Sequence, residues 1–180
     1  MTDAWLLLIY KIPPEPSRYR VATWRRLKGA GAVYLQNSVC ILPDSPVNRD
    51  LFEGLAGEIG EAGGESLLLL ARAFNPAEQE KVVERFNAER DVEYGEIVEQ
   101  CAAFLEEIRQ ETERKNFMFA ELEENDEGLQ RLVGWLEKVQ NRDFFGAARA
   151  GEAQARLAEC RDALDGFAAR VFAASEGNKE

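Results

Sequence analysis

The chain of 180 residues is 46% hydrophobic, carries a net charge of −11 and contains no histidine. The length suits one domain, or one small domain with an appendage, and the composition excludes a disordered chain. The missing histidine excludes the Ser-His-Asp triad and every His-containing zinc site, and no apolar run approaches the ~18 residues of a membrane span.

Residues 4–11, AWLLLIYK, form a short apolar run whose length and flanking prolines predict a buried strand. The run lacks a basic leader and a small-residue cleavage site, which points to a cytoplasmic protein without a signal peptide. Pro13, Pro14 and Pro16 impose an extended loop, and Ser17 is placed to cap a helix over about 18–29 that Gly29 or Gly31 ends. AVYLQ (32–36) and VCILP (39–43) read as two short strands joined at Asn37-Ser38. Pro46 opens a second helix with Leu51, Phe52, Leu55 and Ile59 on one face, and Gly63-Gly64 stop it. ESLLLLARA (65–73) reads as a fourth buried strand. The order β-α-β-β-α-β predicts a ferredoxin-like domain over residues 1–75, an antiparallel sheet with two helices on one face.

Asn75-Pro76 is a helix start, a cap followed by proline at the first position. Beyond it the periodicity is helical to the end, which predicts a helical bundle appendage over residues 76–180 and an α+β protein overall. The first stripe comprises Val82, Val83, Phe86, Arg90, Tyr94, Ile97, Val98, Cys101, Phe104, Leu105 and Ile108, on one long helix or on two with a break near Asp91. Leu122, Leu129, Leu132, Val133, Leu136 and Val139 mark a second helix. Leu157, Cys160, Leu164, Phe167, Val171 and Phe172 mark a third. Short linkers, one of them Asp143-Phe144-Phe145-Gly146, connect them. Cys40, Cys101 and Cys160 match no metal or redox spacing and read as buried free thiols.

Charge is unevenly placed. Residues 1–75 hold eight basic and eight acidic residues, so the whole net charge of −11 lies beyond them. Residues 11–28 hold six bases (Lys11, Arg18, Arg20, Arg25, Arg26, Lys28) against Glu15 alone. Screening limits the reach of distant acids to about 8–10 Å, so this segment can bind phosphate within an acidic protein. At helical spacing Val21, Trp24 and Leu27 form a face that would pack on the sheet, and Arg18, Ala22, Arg25 and Arg26 form the opposite one. Guanidiniums beside a helix start at Ser17 suit a phosphate or another oxyanion. The alternative is a solvated face held against the acidic helices, in which carboxylates beyond Pro76 pair with Arg18, Arg25 or Arg26. No Gly-Lys-Ser/Thr loop, EF-hand or Glu-x-x-His pair occurs, so neither catalytic residues nor a metal or cofactor site is expected.

The stretch WLLLIYKIPPEPSRYRVATWRRLKGAGAVYLQNSVCILP, with the later ELEENDEGLQRLVGWLEKVQNRDFFGA, resembles the N-terminal region of ChrB-type chromate resistance proteins. The resemblance implies a regulatory, non-enzymatic role in chromate resistance, in transcriptional control through DNA binding. Lys11, Ser17, Arg18, Arg20, Arg25, Arg26 and Lys28 are the candidate nucleic-acid or oxyanion-binding residues. A chromate or sulfate sensor and a dimerisation module, most simply a homodimer, are the alternatives. The first half is similar, more distantly, to PaaX-type repressors and to the ferredoxin-like CRISPR-associated nuclease subunit. In the latter family an aspartate in Tyr-Asp-Ile-Pro binds metal. The matching stretch here is Tyr10-Lys11-Ile12-Pro13, and a lysine there argues against metal-dependent nuclease chemistry.

Overall fold

The computed structural model describes residues 4–177. Strand β1 (Trp5–Lys11) leads to helix α1 (Arg18–Gly29), strands β2 (Val33–Gln36) and β3 (Val39–Pro43), helix α2 (Pro46–Glu61) and strand β4 (Glu65–Ala71). Three helices follow, α3 (Pro76–Arg114), α4 (Phe119–Gln140) and α5 (Ala150–Gly177). The sheet order is β2-β3-β1-β4 with every neighbouring pair antiparallel, the expected ferredoxin-like topology. Among the described residues, no helix is long and apolar enough to cross a membrane.

The chain forms two compact units. The first runs through Glu89 and includes Arg142–Phe145, and the second comprises Arg90–Asn141 and the residues from Gly146 onward. Helix α3 is unbroken through Asp91 and contributes to both.

In the first unit, residues opposite one another in the ladders share a sheet face. Leu6, Leu8 and Tyr10 lie with Leu42, Cys40, Leu70 and Leu68 on the face that α1 and α2 cover. The other face presents Trp5, Val33 and Ile41, and the start of α3 packs there through Val82, Val83 and Phe86. Trp5 stacks on Phe86, and its indole Nε1 donates to Gln79 Oε1 at 2.7 Å. Phe144 and Phe145 complete this cluster, so the segment expected to be only a linker is a packing element.

The start of α3 is capped by Asn75 as its sequence predicts, and the start of α2 at Pro46 is capped by Ser45, which the sequence reading did not single out. Ser45 Oγ accepts from Asn48 N, and Asn75 Oδ1 accepts from Glu78 N at 3.0 Å. Ser17 does not cap α1 with its side chain. Its backbone is already helical (φ −58°, ψ −22°), whereas a capping hydroxyl needs an extended Ncap to turn back on the first amides.

Three burial expectations are corrected. In α1 the buried side chains are Thr23 and Leu27, while Val21 and Trp24 are exposed. Strand β4 is a sheet edge, and its residues 65–70 are all exposed. On α5, Phe172 faces outward, edge-on to Phe119 of α4. In the second unit the remaining stripe residues of α3, α4 and α5 form one apolar core. Its polar members are Arg90, whose Nε lies 2.7 Å from Glu93 Oε2, and Asn125, whose Nδ2 donates to Glu121 O.

All three cysteines are buried and free. Cys40 Sγ donates to Leu8 O and Cys160 Sγ to Cys101 O. Burial pushes the Cys40 and Cys160 thiols up to about 12 and also raises Cys101. An acid whose pKa is higher in the folded than in the unfolded chain favours folding below the unfolded value, and that contribution is lost as the pH rises through the window between the two. Stability is therefore expected to fall between about pH 9 and about pH 12, which urea midpoints across that range would show. At pH 8 a disulfide reagent should meet no reactive thiol in the native protein and three after unfolding; one thiol reacting promptly in the native state would contradict this burial.

Candidate nucleic-acid and anion-binding surface

All seven candidate residues are exposed, and they fall into three settings. The first is a groove of about 420 Å³ lined by Tyr10, Lys11, Arg20, Trp24, Tyr34 and the Asn37-Ser38 turn. Strand β1 delivers Tyr10 and Lys11, and the β2–β3 hairpin delivers Tyr34 and the turn. Ser38 takes the left-handed conformation (φ 64°), and its carbonyl accepts from Tyr10 N at 2.9 Å, tying the hairpin tip to β1. One turn of α1 contributes Arg20, with Nη2 donating to Pro14 O at 3.1 Å, and the next contributes Trp24. Ser17 lines a shallower hollow beside it with Arg20, Val21 and Trp24.

The Tyr10 and Tyr34 hydroxyls are 2.8 Å apart. Burial raises both phenol pKa values, with the mutual hydrogen bond contributing further at Tyr34, so both stay protonated at neutral pH. One hydroxyl donates to the other, which leaves a single O–H proton to offer a ligand. With Lys11 and Arg20 the groove thus presents mainly hydrogen-bond donors, an arrangement that suits an oxyanion.

The second setting is the outer face of α1. Arg18 lies over the Tyr19 ring at 4.9 Å, Lys28 lies 5.5 Å from the Trp24 ring centroid, and Trp24 is 48% exposed. Cations holding aromatic rings at the surface form a platform on which a nucleobase can stack while the charges meet phosphate. Arg25 lies on the same helix, and neither it nor Arg18 has an ion pair among the described residues.

Arg26 forms the third setting, a salt bridge with Glu58 of α2. The carboxylate that engages Arg26 lies in α2, before Pro76, so Arg26 is a tie between α1 and α2. Tyr10, Trp24, Tyr34, Asn37 and Ser38 were missed by the sequence reasoning, which followed charge and the helix start at Ser17. The one available signal was the alternation of strand residues, which sets Tyr10 and Tyr34 on the face that α1 covers.

A family model described as "Protein ChrB, N-terminal" matches residues 20–178. The match includes Arg20, Trp24, Arg25, Arg26 and Lys28, whereas Lys11, Ser17 and Arg18 precede it. Protein ChrB of Cupriavidus metallidurans is 24% identical over 162 residues, 90% of this chain and 47% of its own length. The chain thus spans about half the length of that curated relative.

Proposed function

From a chain that belongs to the ChrB N-terminal family, we propose a non-catalytic regulatory module of chromate resistance that contacts nucleic acid through the outer face of α1, in the service of transcriptional control. The observation that carries this reading is the exposed alternation of cations and rings along one helix, Arg18, Tyr19, Arg20, Trp24, Arg25 and Lys28. Arginine and lysine supply phosphate contacts that set affinity without reading sequence. Specificity then belongs to other surfaces of the regulator.

The test is fluorescence anisotropy with a mixed-sequence DNA duplex, titrated at several salt concentrations. Replacing Arg18, Arg20 and Arg25 together by alanine should weaken binding for all sequences alike. It should also reduce the slope of log K against log salt by about one unit for each phosphate that no longer meets a guanidinium. Arg26→Ala should leave that slope unchanged and cost stability no more than about 1 kcal/mol, because its salt bridge is solvent-exposed. A folded triple variant with unchanged affinity and slope would remove α1 from the mechanism.

The donor-rich groove favours a second reading, an oxyanion sensor. Sulfate or chromate should then raise the melting temperature of the wild type and of Arg25→Ala but not of Lys11→Ala/Arg20→Ala. An equal rise in all three would place anion binding elsewhere.

A further inference from the structure

The groove between β1, the β2–β3 hairpin and α1 differs in charge from the hollows elsewhere on the chain. The hollow beside α2 sets Arg49 with Glu53, and two in the second unit set Arg131 with Glu107 and Arg161 with Glu137. The groove carries Lys11 and Arg20, and among the described residues that line it none is acidic. Its volume of about 420 Å³ falls in the range of about 300–1,000 Å³ found for small-ligand sites. A tetrahedral oxyanion alone would leave most of that space to water. The wall beside the donors is aromatic. Trp24 is 48% exposed and lines both the groove and the shallower hollow next to it, and Arg20 is common to the two. Asn37 at the hairpin tip is exposed, and its side-chain amide makes no hydrogen bond among the described residues.

We infer that the groove is a nucleotide site, in which the phosphate of a nucleoside monophosphate unit meets Lys11, Arg20 and the Tyr10–Tyr34 hydroxyl pair, the base stacks on Trp24, and Asn37 hydrogen-bonds the base edge. Each part answers one part of the ligand. Guanidinium and ammonium groups bind phosphate oxygens through charge-assisted hydrogen bonds. An indole stacks on any base, because every base has a π-face. A carboxamide offers a donor and an acceptor side by side, as a base edge does. The hairpin tip is tied to β1 by the bond from Tyr10 N to Ser38 O at 2.9 Å, so the wall that carries Asn37 is in place before a ligand arrives. In a duplex the faces of the bases are stacked and their pairing edges are taken. The unit is therefore a free nucleotide or an unpaired nucleotide of a strand. The inference rests on the second reading above, in which the groove holds an anion, and not on duplex binding along α1.

Calorimetric titration of the full chain with adenosine monophosphate, adenosine, inorganic phosphate and a short single strand of deoxyadenosine tests it. The monophosphate should bind about tenfold more tightly than adenosine or phosphate, because stacking adds to the charged contacts. Trp24→Leu should lose that about tenfold gain and leave phosphate binding as it was, and Trp24→Phe should recover much of it. Asn37→Ala should weaken the monophosphate and not phosphate, whereas Arg20→Ala should weaken both. The replaced side chains are exposed, so each variant should keep its circular dichroism spectrum. Whichever of the monophosphate and the single strand binds more tightly in a Trp24-dependent manner identifies the source of the nucleotide. Phosphate bound as tightly as the monophosphate would overturn this inference and leave the anion reading standing, and binding of neither would overturn both. A folded Trp24→Leu variant with undiminished affinity for the monophosphate would also overturn it, since the base would then lie elsewhere.

Discussion

Replacing Phe86 by alanine is expected to destabilise the first unit by about 3–5 kcal/mol. Phe86 is fully buried and joins α3 to the sheet. Its ring centroid lies 5.5 Å from Trp5 in a stacked pair, 5.4 Å from Phe145 and 5.9 Å from Phe144, the last two edge-on. Three partners held by one ring cannot all close on the space it leaves, so the cavity term adds to the lost transfer energy. Each aromatic pair adds about 0.5–1.5 kcal/mol beyond area. Domains of this size are stable by only about 5–15 kcal/mol, so the loss should be plain in urea unfolding followed by tryptophan fluorescence, with Trp5 reporting directly. Phe144→Ala, which touches the cluster from its exposed rim, should cost less than Phe86→Ala. A Phe86→Ala cost below about 1 kcal/mol would mean that α3 does not hold this sheet face.

The same residues show what the sequence allowed one to read. Phe86 belongs to the helical stripe that begins at Val82, so its burial was legible, but not that the sheet was what it packed against. Period alone gives the buried side of a helix and leaves the neighbour open. The six elements of the first unit and the two chain reversals at Gly31 and Gly63, both with positive φ, were legible because turn residues and apolar runs agree there. Strand β4 was not. A continuous run of leucines is the pattern of a buried strand, and only the strand order reveals that this one lies at an edge.

The face of α1 was misread for a related reason. Weighting by hydrophobicity selects Val21, Trp24 and Leu27. The helix instead buries Thr23 and Leu27, and its C-cap Ala30 packs partly against the same core. That rotation turns Trp24 outward beside Arg20 and Lys28 and carries Arg26 toward Glu58. The charges of the candidate surface could thus be found from sequence, but not their aromatic partners, because those depend on which face of α1 is buried.

Gly64→Ala is expected to have the second largest effect, about 3 kcal/mol of destabilisation. Gly64 lies between the end of α2 and the end of β1. Its N–H donates to Ile59 O at 2.8 Å. A Cβ there would stand 2.4 Å from Lys11 O, 2.8 Å from Ile59 Cγ2 and 2.9 Å from Ile59 O. Two of these three atoms are backbone, so no side-chain rotation relieves the overlap and the end of β1 must move. Lys11 pairs with Glu65 at that end and lines the groove beside Tyr10. The displacement should therefore also diminish any anion-dependent rise in melting temperature. Gly57→Ala is the control, because a Cβ at that exposed position of α2 meets nothing within 4 Å. There the better helix propensity of alanine should stabilise the protein by up to about 1 kcal/mol. Urea midpoints of the two variants should move in opposite directions. A Gly64→Ala protein within about 0.5 kcal/mol of the wild type would show that the junction of α2 and β1 yields freely, and that Lys11 is not held in place by this glycine.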